Sequence, residues 1–264
     1  MALHGRWLAL VVVAGFGLLA CGPEESVPLD EGVTSEDKLR DDSCRPSPGG
    51  ANADVANLAK YWAYRARLKA EFVKVSAGDE PGTNLPAGVR ANGRLGWGDT
   101  TIMLGQYLAM LATEYKLVGG AQTEKGRTAA AELYYALKAL DRLDRTGETY
   151  FPGGSATVNG FFVRDDVPGD FLTRFPLRGA TSVESEITCP YQTGGEVCHP
   201  TYRATEMSQD QVWHLILGLA LVKRMVPENA ILIDGQNVNL RAYTKTLTDR
   251  ILRYMRTSGW QTVN

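Results

Sequence analysis

The chain has 264 residues, 44% of them hydrophobic, with 28 Lys and Arg against 30 Asp and Glu. A net charge of −2, with no basic cluster interleaved with aromatics, argues against a nucleic-acid partner. The length is enough for one domain with a real hydrophobic core.

The N-terminus has a short segment carrying Arg6, an apolar run from Trp7 to Leu19, and then Ala20 before Cys21. That order is the plan of an export signal. The run falls short of the roughly 20 apolar residues that a spanning helix needs. The closing Leu18-Leu19-Ala20-Cys21 resembles the lipobox of bacterial lipoproteins. By that resemblance residues 1–20 are a signal peptide and Cys21 is the lipidation site. The protein is then expected in the bacterial cell envelope, held to a membrane by its lipid. Residues 21–50 are rich in Pro, Gly, Ser, Asp and Glu without apolar periodicity, which predicts a flexible tether.

Helix periodicity starts near residue 52. Val55, Leu58, Ala59, Trp62 and Ala66 recur at helical spacing through residues 52–73, which predicts an amphipathic outer helix. A Gly-, Pro- and Asn-rich loop over 76–98 leads into residues 96–117, where Gly96-Trp97-Gly98-Asp99-Thr100-Thr101 opens an apolar helix through Leu104, Leu108 and Leu111. A helix that is apolar all round must be covered on every side. Gly119-Gly120 ends it with residues that accept a left-handed cap. A second outer helix over 123–143 carries Leu133, Leu137, Leu140 and Leu143 on one face, with Glu132, Lys138, Asp141 and Arg142 turned away.

A long insert follows over 145–206. Inserts of this length in a compact domain are usually functional or disordered. Cys189 and Cys198 flank a turn-forming segment in it, and in an oxidising compartment they are predicted to pair. Cys44 has no assigned partner. A metal held by Cys189, Cys198 and His199 would lack further ligands, so none is expected. Residues 208–225 form a second apolar inner helix and 239–258 a third amphipathic outer one. With Asp99 laid on Asp210, Leu104 falls on Leu215, Leu108 on Leu219 and Leu111 on Val222. This is an internal repeat carried by pattern. No run shows convincing strand alternation outside the loops.

The predicted fold class is all-α: helical hairpins alternating outer amphipathic and inner apolar helices over 51–264. This order resembles the (α/α) toroid. A six-hairpin toroid has twelve helices and needs more than roughly 300 residues, so the expectation is either a fragment or a partial ring. A protein partner is a candidate to cover the open helical edge of a partial ring.

If the inner helices point the same way, Asp99 and Asp210 open onto one end of the domain. Two carboxylates there could have their pKa values pushed apart and divide acid and base roles. The insert adds Asp165 and Asp166 as further acids, Phe161 as a stacking ring and Arg164 as a fork for a substrate carboxylate. Trp97, Gln211 and His214 complete the candidate substrate-binding set. The Gly-Trp-Gly-Asp-Thr and Ser-Gln-Asp-Gln helix entrances are similar to those of toroid glycoside hydrolases, including the unsaturated glucuronyl hydrolase type. That resemblance implies Asp99 and Asp210 as general acid or base, with Asp165 or Asp166 as a third candidate, and a carbohydrate ligand.

Each of these residues has a second reading. Asp99 is also a plausible N-cap, and Ser208 with Gln211 fits a capping box. Asp165, Asp166 and Asp170 could bind Arg164, cap a turn or hold calcium, although their spacing does not match an EF-hand. His214 shares a face with Asp210 but also suits a satisfied core histidine, and Trp97 suits packing. No cofactor is expected, since neither a phosphate-binding Gly loop nor a His-Glu metal array is present. The functional expectation is glycoside hydrolysis by paired carboxylates; the rival is a non-catalytic lipoprotein that binds a glycan or a protein.

Overall fold

The computed structural model describes residues 50–73, 88–89, 92–96, 99–150, 158–166, 171–184 and 207–260. Of these residues 69% are helical, so the all-α class holds at the level of secondary structure. The chain divides into two compact units, with the first helix, α1 (Gly50–Arg67), in one and everything from Leu68 onward in the other. Within α1, Lys60 Nζ lies 5.8 Å from the Tyr64 ring centroid one turn on.

The larger unit starts with a π-helical turn, Leu68–Phe72. Strands β1 (Gly88–Val89) and β2 (Arg94–Gly96) follow and pair antiparallel, Val89 opposite Leu95. The predicted inner helix is α2, Thr100–Leu117. Leu104, Leu108, Leu111 and Ala112 in it have no exposed surface; burying each leucine contributes about 1.5–3 kcal/mol. The helix stops at Val118, and Gly119 takes φ +90°, the left-handed value expected of the cap.

After a short 3-10 turn, Gly120–Gln122, comes α3, Glu124–Tyr150. It runs well past the predicted end at 143. Its predicted solvent face is largely occupied. Glu132 is 3% exposed and accepts from Tyr107 Oη at 2.5 Å and from Lys69 Nζ at 3.1 Å. Glu132, Asp141 and Arg142, which looked like a wet face, are instead ties to other elements.

The insert does not simply overhang the domain. Phe161, Phe162 and Val163 lie in the hydrophobic core, with Val163 N donating to Leu143 O at 3.4 Å. A single helical turn, α4 (Phe171–Arg174), precedes β3 (Ser182–Glu184), which joins β2 in parallel with Leu95 opposite Val183. Next comes the second inner helix, α5, Gln209–Met225. A hairpin of β4 (Ile231–Ile233) and β5 (Gln236–Val238) then leads to α6, Leu240–Thr257. That hairpin occupies the loop between the predicted second inner and third outer helices, residues 226–238, and leaves the helical segments as expected. Its Asp234-Gly235 turn has both φ values positive, +48° and +79°, the requirement of a tight hairpin turn.

α2 and α5 pack directly on each other through glycines. A Cβ on Gly105 would stand 2.2 Å from His214 O, and one on Gly218 would stand 2.2 Å from Gly105 O. Only glycine permits so close a backbone approach. The inner pair is backed by α3 and α6.

Candidate functional site

Helix directions decide what can meet at one end. From α2 to α3, Tyr115 Oη accepts from Ala121 N and Tyr107 binds Glu132; one index falls as the other rises, so the two helices are antiparallel. Between α3 and α6, Tyr134 stacks near Tyr243 at 6.3 Å, and Arg250 Nη1 binds Asp141 at 2.5 Å. Both indices rise by the same step, so α3 and α6 run parallel. α6 folds back along α5 through the β4–β5 hairpin, with Asn239 Nδ2 donating to Glu228 O at 2.5 Å. The inner helices α2 and α5 are therefore parallel. Their N-termini, with Asp99 and Asp210, lie at the end of the domain where α3 finishes.

Asp99 is the N-cap residue of α2, but its side chain makes no capping hydrogen bond. Only its carbonyl serves the helix, accepting from Met103 N at 3.0 Å. The carboxylate is exposed. The capping box expected at α5 does not form either. Ser208 is the N-cap, yet its hydroxyl donates to Asp210 Oδ1 and accepts from no helix N–H. Gln211 N donates to the same oxygen at 2.9 Å. The Ser208 bond is the main reason the Asp210 carboxyl lies below its ordinary value, with the Gln211 N–H and the charge of nearby Arg164 adding to the effect against some desolvation. Asp210 is thus held as a carboxylate, a charged hydrogen-bond acceptor.

The other candidates separate into exposed and buried. Arg164 is half-buried and close enough for its charge to act on Asp210. His214 is half-buried, with Nδ1 2.7 Å from Asp210 O, so that nitrogen carries the proton. Phe161 is 1% exposed and lies 5.5 Å from the Tyr254 ring; as a core residue it presents no face to a sugar. Gln211 and Asp165 are each 1% exposed. Asp166 is clamped by Arg142, whose Nε and Nη2 donate at 2.6 and 3.1 Å. Of the four candidate acids, the described structure leaves Asp99 and Asp210 accessible. Trp97, Asp170, Cys21, Cys44, Cys189 and Cys198 lie outside the described residues.

The same end holds an acid that the sequence did not single out. Asp144, on α3, is 4% exposed and accepts from Asn159 N at 3.2 Å and Gly160 N at 3.1 Å, with Arg250 Nη1 at 3.6 Å. Burial pushes its carboxyl up, against the lowering effect of the Gly160 N–H and Arg250. Beside it is a recess of about 10 Å³, lined also by Leu140, Gly160, Phe162, Leu247 and Ile251, which is room for about one water molecule. Asp144 ties the insert to α3. Its only sequence signal was an acid on the flank of the leucine stripe.

Among the described residues, no group of three or more His, Cys, Asp or Glu stands close enough to hold a metal, and no helix is long and apolar enough to cross a membrane. No family model, curated protein or solved structure matches the chain.

Proposed function

We propose that this protein is an envelope lipoprotein that processes a glycan, with a domain built as part of an (α/α) toroid. The observation that carries the reading is the parallel course of α2 and α5, which puts two accessible carboxylates at one end with Arg164 beside Asp210. Asp99 and Asp210 divide the acid and base roles between them. Arg164 orients a uronate or a ring hydroxyl. Cys21 carries the lipid, and Cys189 pairs with Cys198.

The test is turnover of a panel of uronate-containing and neutral oligosaccharides by the wild type and by Asp99→Asn and Asp210→Asn. Each substitution should abolish product, while stability changes by no more than about 1 kcal/mol, as both side chains are exposed and neither bonds as a standard cap. Wild-type rates in either variant would remove that residue from the mechanism. A second reading, glycan binding without catalysis, draws on the sequestration of Asp165 and Asp166, which leaves a small acid set. It predicts saturable binding with no product from the wild type.

A further inference from the structure

The two sides of α5 differ sharply. Gln211, Val212, Leu215, Gly218, Leu219 and Val222 are buried. Opposite them, Trp213 is 59% and Leu217 55% exposed, with Asp210 exposed one turn before Trp213. At 3.6 residues per turn, Asp210, Trp213 and Leu217 fall within a sector of about 60°. They form one bare face on the side of α5 away from its packed neighbours. A large indole at 59% exposure is unusual on a helix whose composition is apolar all round. Such a helix would be expected to hide it.

Building on the glycan reading above, we propose that Trp213 is the stacking platform for a pyranose ring of the ligand, with Asp210 accepting hydroxyl protons at the edge of that ring. The C–H face of a pyranose is apolar and matches an indole plane, while its rim of hydroxyls needs charged or polar acceptors within one turn. Asp210 meets that need. The bonds from Ser208 and from Gln211 N both go to Oδ1 and fix the carboxylate, while Oδ2 takes neither. The positive charge of Arg164 also reaches Asp210, so a charge of each sign acts at the polar end of the face.

Two other aromatic residues among those described, Phe161 and Trp260, do not fill this role. Phe161 is interior, and the exposed Trp260 stands after the far end of α6 from Leu240. A second protein chain is a poor occupant. Two exposed apolar side chains offer far less than the roughly 800 Å² per partner that a stable interface takes. The mixture of one indole and a charged pair suits a sugar ring better than a helix.

The experiment is calorimetric titration of the full chain with chitotetraose, cellotetraose and a chondroitin tetrasaccharide, run on the wild type, Trp213→Ala and Trp213→Phe. At least one of the three should bind the wild type; Trp213→Ala should weaken it by about tenfold or more and Trp213→Phe by only about threefold. Thermal unfolding should be the same in all three proteins, because Trp213 is exposed. If Trp213→Ala binds as the wild type does, the platform is wrong while the glycan reading stands. If none of the three binds at millimolar concentration, the glycan reading fails and the platform with it. Sedimentation provides a separate check: a wild-type dimer that Trp213→Ala dissociates would assign the face to a second copy of the chain and overturn the proposal.

Discussion

Asp144 shows how a residue acquires a property that its neighbours in sequence do not announce. It follows the leucine stripe of α3 by one position, and at residue scale it could be any surface acid. In the fold it is 4% exposed, and desolvation raises its carboxyl above the ordinary 3.8. The sign of the consequence is fixed by linkage. Between its unfolded and its raised folded pKa, the native state holds more protons than the unfolded chain, so stability falls as pH rises through that window. Asp144→Asn should therefore gain on the wild type from below pH 3.8 upward. Thermal melts of both proteins from pH 3 to 8 check this; a difference in Tm that is constant with pH would show that Asp144 does not titrate this way. Phe161 is the converse case. Its place in a Phe-Phe-Val run was a core signal, and reading it as a sugar-stacking ring passed over the two apolar residues beside it.

At the scale of elements, the inner helices and the α6 boundaries agree with periodicity to within about two residues, because apolar spacing and caps are local features. Asn239 caps α6, accepting from Ala242 N at 2.9 Å. The β4–β5 hairpin was legible too, since Asp-Gly between apolar and polar residues is a hairpin turn signal. It was missed because three-residue strands show almost no alternation. The contact between α2 and α5 was not legible. Nothing in the pattern distinguishes Gly105 and Gly218 from helix-weakening residues, and on propensity alone alanine would stabilise an exposed helix by about 1 kcal/mol. Here the sign reverses. A Cβ at either site meets backbone at 2.2 Å, which no rotamer change relieves, so Gly105→Ala and Gly218→Ala should each cost about 1–3 kcal/mol or more. Chemical denaturation measures it. A stabilised Gly105→Ala would mean that the two helices stand further apart.

For the whole molecule, the unit from Leu68 onward has α2 and α5 in direct contact, backed by α3 and α6, with Phe161–Val163 of the insert completing the same core. Segments that share one core open together. Hydrogen exchange should therefore find the amides around Leu108 and Leu219 protected alike, and as slow as any in the chain. Markedly faster exchange in α5 would separate the two hairpins into independent units. Joint protection would also support the functional proposal, because Asp99 and Asp210 are held at one end only while α2 and α5 stay packed.

The sequence by itself determined where the long helices lie and which two are richest in apolar residues. Those properties depend on residues three and four apart, which a reader of the chain can see. The tertiary structure alone decided which charges are hidden, which side of α5 is bare, and which carboxylates remain open to a ligand. Arg250 and Asp141, which meet in the fold, are 109 residues apart in the chain, as Tyr107 and Glu132 are 25 apart. Whether an acid is solvated or buried depends on such distant partners, and helical periodicity carries no information about them.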